Sequence, residues 1–294
     1  MKHVLLVTKA CIVGVFISTI AHAAPSRPQW GPGQPEDQVW FHPNDEPYYP
    51  FANFYEVNEH RIPSRYPETP ANPSKVLHNS TAFDSLNIGV GEEECRKWRS
   101  VEHFFHTMKM FGTPNFRHLY AEWQKLSPGE LFGEIRKISY DFVAYDQMKL
   151  YVMYAGVKAK FSQNQELRDL LCNTGDKWIV EHVEPNRNQP KGDSYWGDTN
   201  NTSPLVGNWL GKVLMVVRKE LTGKGYTSLS ASGTFIDAME EAEREIKKHQ
   251  DKWTTSHPPF VDSQKNPLVL AEAKPVVLAE AKPEKSWLRR LFGL

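Results

Sequence analysis

The sequence predicts a helix-rich fold with a few short strands. Apolar residues recur at three- and four-residue spacing in several stretches, β-branched and aromatic residues gather in one short run, and proline-rich segments divide these regions. Residues 24–47 include "PSRPQWGPGQPEDQ" and read as an extended leader. "HRIPSRYPETPANPSKVLHNS" opens a surface insertion over about residues 60–97. Residues 99–111 have helical spacing. Leu150, Tyr154, Val157 and Phe161 form one stripe within residues 143–161, and "NQELRDLLCNTG" repeats the pattern up to Gly175 as a stop. "KWIVEHV" is the strand candidate. "GNWLGKVLMVVRKEL" returns to helical spacing through Leu210, Val213, Leu214 and Val217 and ends before Gly223. Over residues 223–253 a charged helical extension, "TFIDAMEEAEREIKKHQDKW", has acids early and lysines late, as its dipole favours, and is expected to pack on the domain's edge. Residues 254–294 read as a flexible tail with a direct repeat, "VLAEAKP", at 269–275 and 277–283. Its end, "SWLRRLFGL", mixes apolar and basic residues as a protein or membrane-surface contact would.

The chain has 294 residues, 40% hydrophobic and 24% charged, enough for a sizeable core. Lys+Arg and Asp+Glu both total 35, so no global field directs it to nucleic acid or an anionic membrane. The N-terminus reads as a signal peptide over residues 1–23. Lys2 and Lys9 precede the apolar "ACIVGVFISTI", and Ala21-His22-Ala23 offers a small-x-small cleavage site. Lys9 shortens the apolar run below the roughly 18–20 residues of a spanning helix. The expected location is therefore secreted or periplasmic, with no membrane span after cleavage. Cys95 and Cys172 remain in the mature chain at no zinc-site or disulfide-framework spacing, and their pairing is left open. Asn79-Ser80-Thr81 and Asn201-Thr202-Ser203 fit the glycosylation sequon.

Chemistry concentrates in "WRSVEHFFHTMKM". Glu102, His106 and Lys109 fall on one helical face, and Phe104, Met108 and Phe111 cover another. Such a polar stripe is either solvated or the wall of a cleft, and its aromatic neighbours suit the cleft. Glu102, His103 and His106 are competent metal ligands, but neither H-E-x-x-H nor H-x-x-E-H is present, so no metal and no cofactor are expected. Phosphate-binding glycine loops and a G-x-S-x-G elbow are also missing from the sequence. "PYYPFANFYEV" surrounds Asn53 with aromatic rings, either as a core or as a slot for a planar base, and "DSYWGDTNN" is a turn-prone loop with Asp193 and Asp198 flanking Tyr195, Trp196 and Gly197.

In order, "PFANFY", "WRSVEHFFHTMKM", "VKAKFSQNQELRDLLCNTGDKWIVEH", "DSYWGD" and "GNWLGKVLMVVRKEL" resemble the YbiA/NADAR family over roughly residues 48–222. The family carries F-S-N-F, S-E-H with a lysine seven positions after the glutamate, A-K-F, N-x-E-L-R-x-L-L, Y-W-G-D and N-x-L-G-x-x-L-M. The resemblance implies a helix-rich α+β fold: a single YbiA-like domain with a few short strands, followed here by a C-terminal helix and flexible tail. It implies hydrolysis of N-glycosidic bonds in phosphorylated ribosylaminopyrimidines or in ADP-ribosyl-guanine, including nucleic acid carrying ADP-ribose.

By motif, Glu102, Lys109, Asn53, Asp193 and Trp196 take the family's positions. Glu102 would steady the ribosyl cation and activate water, with Asp193 or His103 as proton donor. Lys109 would either bind phosphate as an ammonium or attack the opened sugar aldehyde as an amine. Phe51, Phe54 and Trp196 would stack or line the ribose pocket, Gly197 would shape it, and Asn53 and Asn208 would supply hydrogen bonds. The chain departs from the family at Ala52 and Val101, where serines are usual, and at His106 and Met108, where glutamines are frequent. The function expected is an exported N-glycosidase acting on a small nucleotide-like or ADP-ribosylated substrate. The alternatives are an inactive ADP-ribose-binding module and a secreted interaction protein.

Overall fold

The computed structural model describes residues 38–41, 48–56, 86–91, 95–183, 195–199, 207–226 and 233–271. The expected signal peptide, most of the leader and insertion, both sequons, Asp193 and residues 272–294 lie outside the described residues.

The fold is a mixture of many helices and few short strands, packed around one central helix. Strands β1 (Gln38–Phe41), β2 (Leu86–Val90) and β3 (Arg96–Trp98) come first, then helices α1 (Val101–Thr107), α2 (Phe116–Trp123), α3 (Pro128–Ile135), α4 (Phe142–Asp146), α5 (Lys149–Gln163) and α6 (Gln165–Cys172). Strands β4 (Trp178–Val183) and β5 (Asp198–Thr199), helices α7 (Trp209–Thr222) and α8 (Gly233–Thr254), and strand β6 (Phe260–Val261) complete it.

Helix α5 is the axis because it is apolar on every side from Leu150 to Val157, and such a helix is stable only when surrounded. It packs on α1, α6, α7, α8 and β2. Asn164 ends α5 and starts α6, its Oδ1 accepting the Leu167 N–H at 3.0 Å. Helix α3 starts with a capping box in which Ser127 and Glu130 exchange bonds, with Pro128 in the first turn.

The strands form two small sheets. One is parallel in the order β1-β4-β5, with Gln38 opposite Trp178 and His182 opposite Asp198. The other is antiparallel in the order β3-β2-β6, with Leu86 opposite Trp98 and Val90 opposite Phe260.

Helix α7 is pinned to β4 at its start. Asn208 adopts φ 58°, its Nδ2 donates to Ile179 O at 2.8 Å and its Oδ1 accepts from Glu181 N at 2.9 Å. Gly211 permits this contact, since a Cβ there would lie 2.2 Å from Ile179 O.

Several boundaries differ from the sequence-based expectation. The leader contains β1, whose Val39 and Phe41 are buried, and the insertion ends in β2 and β3. The tail does not begin at residue 254. β6 pairs with β2, Leu268 is buried, and Val269 O accepts from Tyr154 OH at 3.0 Å and Lys158 Nζ at 2.7 Å. Helix α8 does more than edge packing, because it adds Phe235, Met239, Ala242, Ile246 and Trp253 to the core. Cys95 and Cys172 are free thiols, and burial raises the pKa of both. Among the described residues no helix is long and apolar enough to cross a membrane.

Candidate active site

Ser100 opens α1, its Oγ accepting the His103 N–H at 3.3 Å, and so aims Glu102 from the first turn. The Phe51-Ala52-Asn53-Phe54 loop lies against that turn. Asn53 O accepts the Glu102 N–H at 2.9 Å, and Asn53 Nδ2 donates to Glu102 Oε2 at 2.5 Å. The other oxygen, Oε1, is 2.6 Å from His106 Nε2, one turn along the helix. Glu102 is 2% exposed, so the polar stripe is not a solvated face, and its carboxylate is held at both oxygens.

Lys160 fastens the loop from behind. This fully buried lysine donates to Ala52 O at 2.9 Å and faces the rings of Tyr55 and Phe161 at 5.1 and 5.3 Å. Desolvation lowers its pKa to about 7.

Lys109, in the 3-10 turn that follows α1, is half-buried. Its Nζ sits 5.4, 5.1 and 5.7 Å from the ring centroids of Phe105, Tyr140 and Tyr145. Among the described residues it makes no hydrogen bond or ion pair. Desolvation lowers its pKa to about 8, against a smaller opposing pull from the Glu102 carboxylate. Trp196 meets Phe105 edge-on at 5.4 Å and stays partly exposed. Phe54, also partly exposed, lies 6.3 Å from Phe132. Phe132 in turn lies 5.8 Å from the His106 ring that is bonded to Glu102.

Four sequence-predicted site residues are engaged in structural contacts. Phe51 is 1% exposed and packs edge-on against Phe41 and Phe161 in the core. His103 faces away from the Glu102 carboxylate: Nδ1 is 2.8 Å from Ser100 Oγ and Nε2 is 3.1 Å from Leu126 O. Burial lowers its pKa to about 4, so near neutral pH it holds no second proton to donate. Asn208 has both ends of its amide bound to β4. Gly197 is packed so closely that a Cβ would lie 2.3 Å from Val183 Cγ2, and its carbonyl accepts the Asn208 N–H at 3.0 Å. Asp198, its neighbour, is buried and accepts the Val183 N–H at 3.0 Å.

Two participants were not assigned from the sequence. The sequence puts His106 on the face of Glu102 and among the candidate metal ligands and the family departures, but assigns it no part in the site. Lys160, three residues beyond Val157 on an apolar helix, was visible as a misplaced charge. Among the described residues no cluster of three or more His, Cys, Asp or Glu could hold a metal.

The site is thus a buried carboxylate, held at both oxygens by an amide and an imidazole, on an α+β scaffold. Residues 39–222 match the NADAR domain, and the chain belongs to that family. It is 31% identical over 128 residues to N-glycosidase Npun_R5314 of Nostoc punctiforme, spanning 42% of this chain and 74% of that protein. It is 30% identical over 140 residues to N-glycosidase YbiA of Escherichia coli K12, spanning 43% and 72%. The riboflavin biosynthesis protein PYRR, chloroplastic, of Zea mays is 30% identical over 134 residues, spanning 43% and 20%. The NMR structure of E. coli YbiA aligns over 63% of this chain and 86% of that chain at 23% identity and TM-score 0.42.

Proposed function

We propose that this protein is an exported N-glycosidase that hydrolyses the bond between ribose C1′ and a base nitrogen in a phosphorylated ribosyl or ADP-ribosyl compound. The observation that carries the reading is the Glu102 carboxylate, 2% exposed and held by Asn53 and His106. Relatives named N-glycosidases support the reaction type, and the apolar N-terminal segment ending in Ala21-His22-Ala23 supports export.

The chemistry follows from where charge develops. As the C1′–N bond breaks, its electron pair leaves with the base and positive charge spreads over C1′ and O4′. A fixed carboxylate beside that carbon lowers the barrier without having to reorient. Water then bonds to C1′, and its proton passes through Glu102 to the departing base nitrogen. Lys109 supplies an amine in a desolvated aromatic setting, the condition that makes a lysine nucleophilic toward an opened sugar aldehyde. Phe54 and Trp196 offer faces for the base.

The test is release of free base from NAD, from an ADP-ribosyl-guanine oligonucleotide and from ribosylaminopyrimidine phosphates. Release from one of them is expected. If none turns over while ADP-ribose still binds, the protein is a binding module and the proposal is wrong.

A further inference from the structure

The two nitrogens of His106 have different surroundings. Nε2 lies 2.6 Å from Glu102 Oε1, whereas Nδ1 is buried without a hydrogen-bond partner among the described residues. An ionised carboxylate only accepts, so the shared hydrogen belongs to Nε2. A hydrogen on Nδ1 as well would meet no acceptor among the described residues and would bear a desolvation penalty. The ring lies against Phe105 at 5.4 Å and Phe132 at 5.8 Å, apolar walls on either side.

Few charges face the pair. His103 shares α1 with it, Lys109 lies in the 3-10 turn that follows, and the Asn53 amide approaches from the loop. From α4, Tyr145 donates to Phe105 O and lies within electrostatic reach of Glu102. From α3, Arg136 covers Phe132 at 4.2 Å. None of these is bonded to Nδ1.

We propose that His106 is a positioning residue for the N-glycosidase reaction: a neutral imidazole, hydrogen on Nε2 and Nδ1 bare, that locks the Glu102 carboxylate in the orientation the ribosyl cation meets. Asn53 fixes Oε2 from outside the helix and His106 fixes Oε1 from within it. The carboxylate plane is thereby set by two donors that carry no net charge, and Glu102 keeps its whole negative charge for the substrate. A second donor at this point needs only a polar N–H of the right reach, not a basic group. The proton that reaches the leaving base therefore travels through Glu102 and not through His106.

This inference rests on the proposed reaction, and its test has one arm that does not. Long-range proton–nitrogen NMR on the full chain should show His106 with a protonated Nε2 and an unprotonated Nδ1 at neutral pH. An Nδ1–H tautomer, or an imidazolium, overturns the proposal whether or not the protein turns anything over. In turnover assays, His106→Leu should lower kcat on the order of 10- to 100-fold, the value of one bond to a charged group, while KM changes little. His106→Gln, with an amide N–H at similar reach, should recover most of that loss. Equal losses in the two variants at unchanged folding, or a loss confined to KM, would also overturn it. If the wild type releases no base from any substrate, the function proposed above fails while the NMR spectrum still judges His106.

Discussion

Asn53 holds Glu102 at two points at once, its carbonyl taking the glutamate N–H at 2.9 Å and its amide reaching Oε2 at 2.5 Å. Backbone and side chain of the glutamate are thus registered against the same loop residue, and a shift of either element moves the carboxylate. Replacing Glu102 with Gln keeps the shape but removes the charge and sets an N–H against one of the two donors. The expected result is a fall in kcat of about 10²–10³ with ligand affinity retained, read by base release and by calorimetry.

Asn53→Ala removes one of the two donors to a buried carboxylate, and kcat should fall roughly 10- to 100-fold. Asn53→Asp should be worse, because a second carboxylate would stand at hydrogen-bond distance from the first. Urea melts of both variants would separate this effect from unfolding.

Lys109 should leave its mark on the pH profile. Its pKa is lowered to about 8, so the reactive amine is the minor form at neutrality and grows as pH rises through that value. Formation of the adduct between Lys109 and the released sugar should climb with pH toward a plateau above about 8. Borohydride added during turnover should trap the sugar on Lys109, and Lys109→Met should abolish the adduct. Turnover with a falling limb through the same range and no trapped adduct would assign the ammonium to phosphate binding instead.

Lys160 ties stability to pH. Folding lowers its pKa from 10.5 to about 7 because the folded protein desolvates the ammonium. Between those values the unfolded chain binds more protons, so stability should rise with pH, by at most about 1.4 kcal/mol per unit. Below about 7 both states carry the proton and this slope disappears. Lys160→Met should flatten the rise, while leaving Ala52 O without its partner at a cost of about 1–3 kcal/mol. Urea midpoints taken across the range decide it.

Gly211→Ala puts a methyl group 2.2 Å from Ile179 O and 2.4 Å from Asn208 Oδ1. Pushing α7 off β4 should destabilise the protein by about 1–3 kcal/mol, measured by thermal or urea unfolding.

The helical part of this fold is written locally. Leu150, Tyr154, Val157 and Phe161 repeat with the period of one helix face, and Gly223 at φ 66° ends α7 where a left-handed residue is needed. Helix α3 was readable too, from Ser127, Pro128 and Glu130, yet was not assigned. The strands were not legible for a different reason. β1, β5 and β6 are two to four residues long, and each depends on a partner distant in sequence. In the site, helical spacing put Glu102, His106 and Lys109 on one side. What spacing could not tell is burial: Phe51 and Phe54 are three residues apart, and only the first lies in the core. Nor could it tell that the amide of Asn208 is bonded at both ends while that of Asn53 faces a carboxylate.

The stretch from Pro258 to Ala271 is stitched to the body by β6, by Val269 O, and by the Ala271 N–H bonded to Glu220. A cut at the end of α8 would therefore remove residues that hold the body together. A gene cut at Trp253 would remove β6 and bare the edge of β2 that it pairs with, and the product should clump into insoluble material through strand-to-strand pairing between copies.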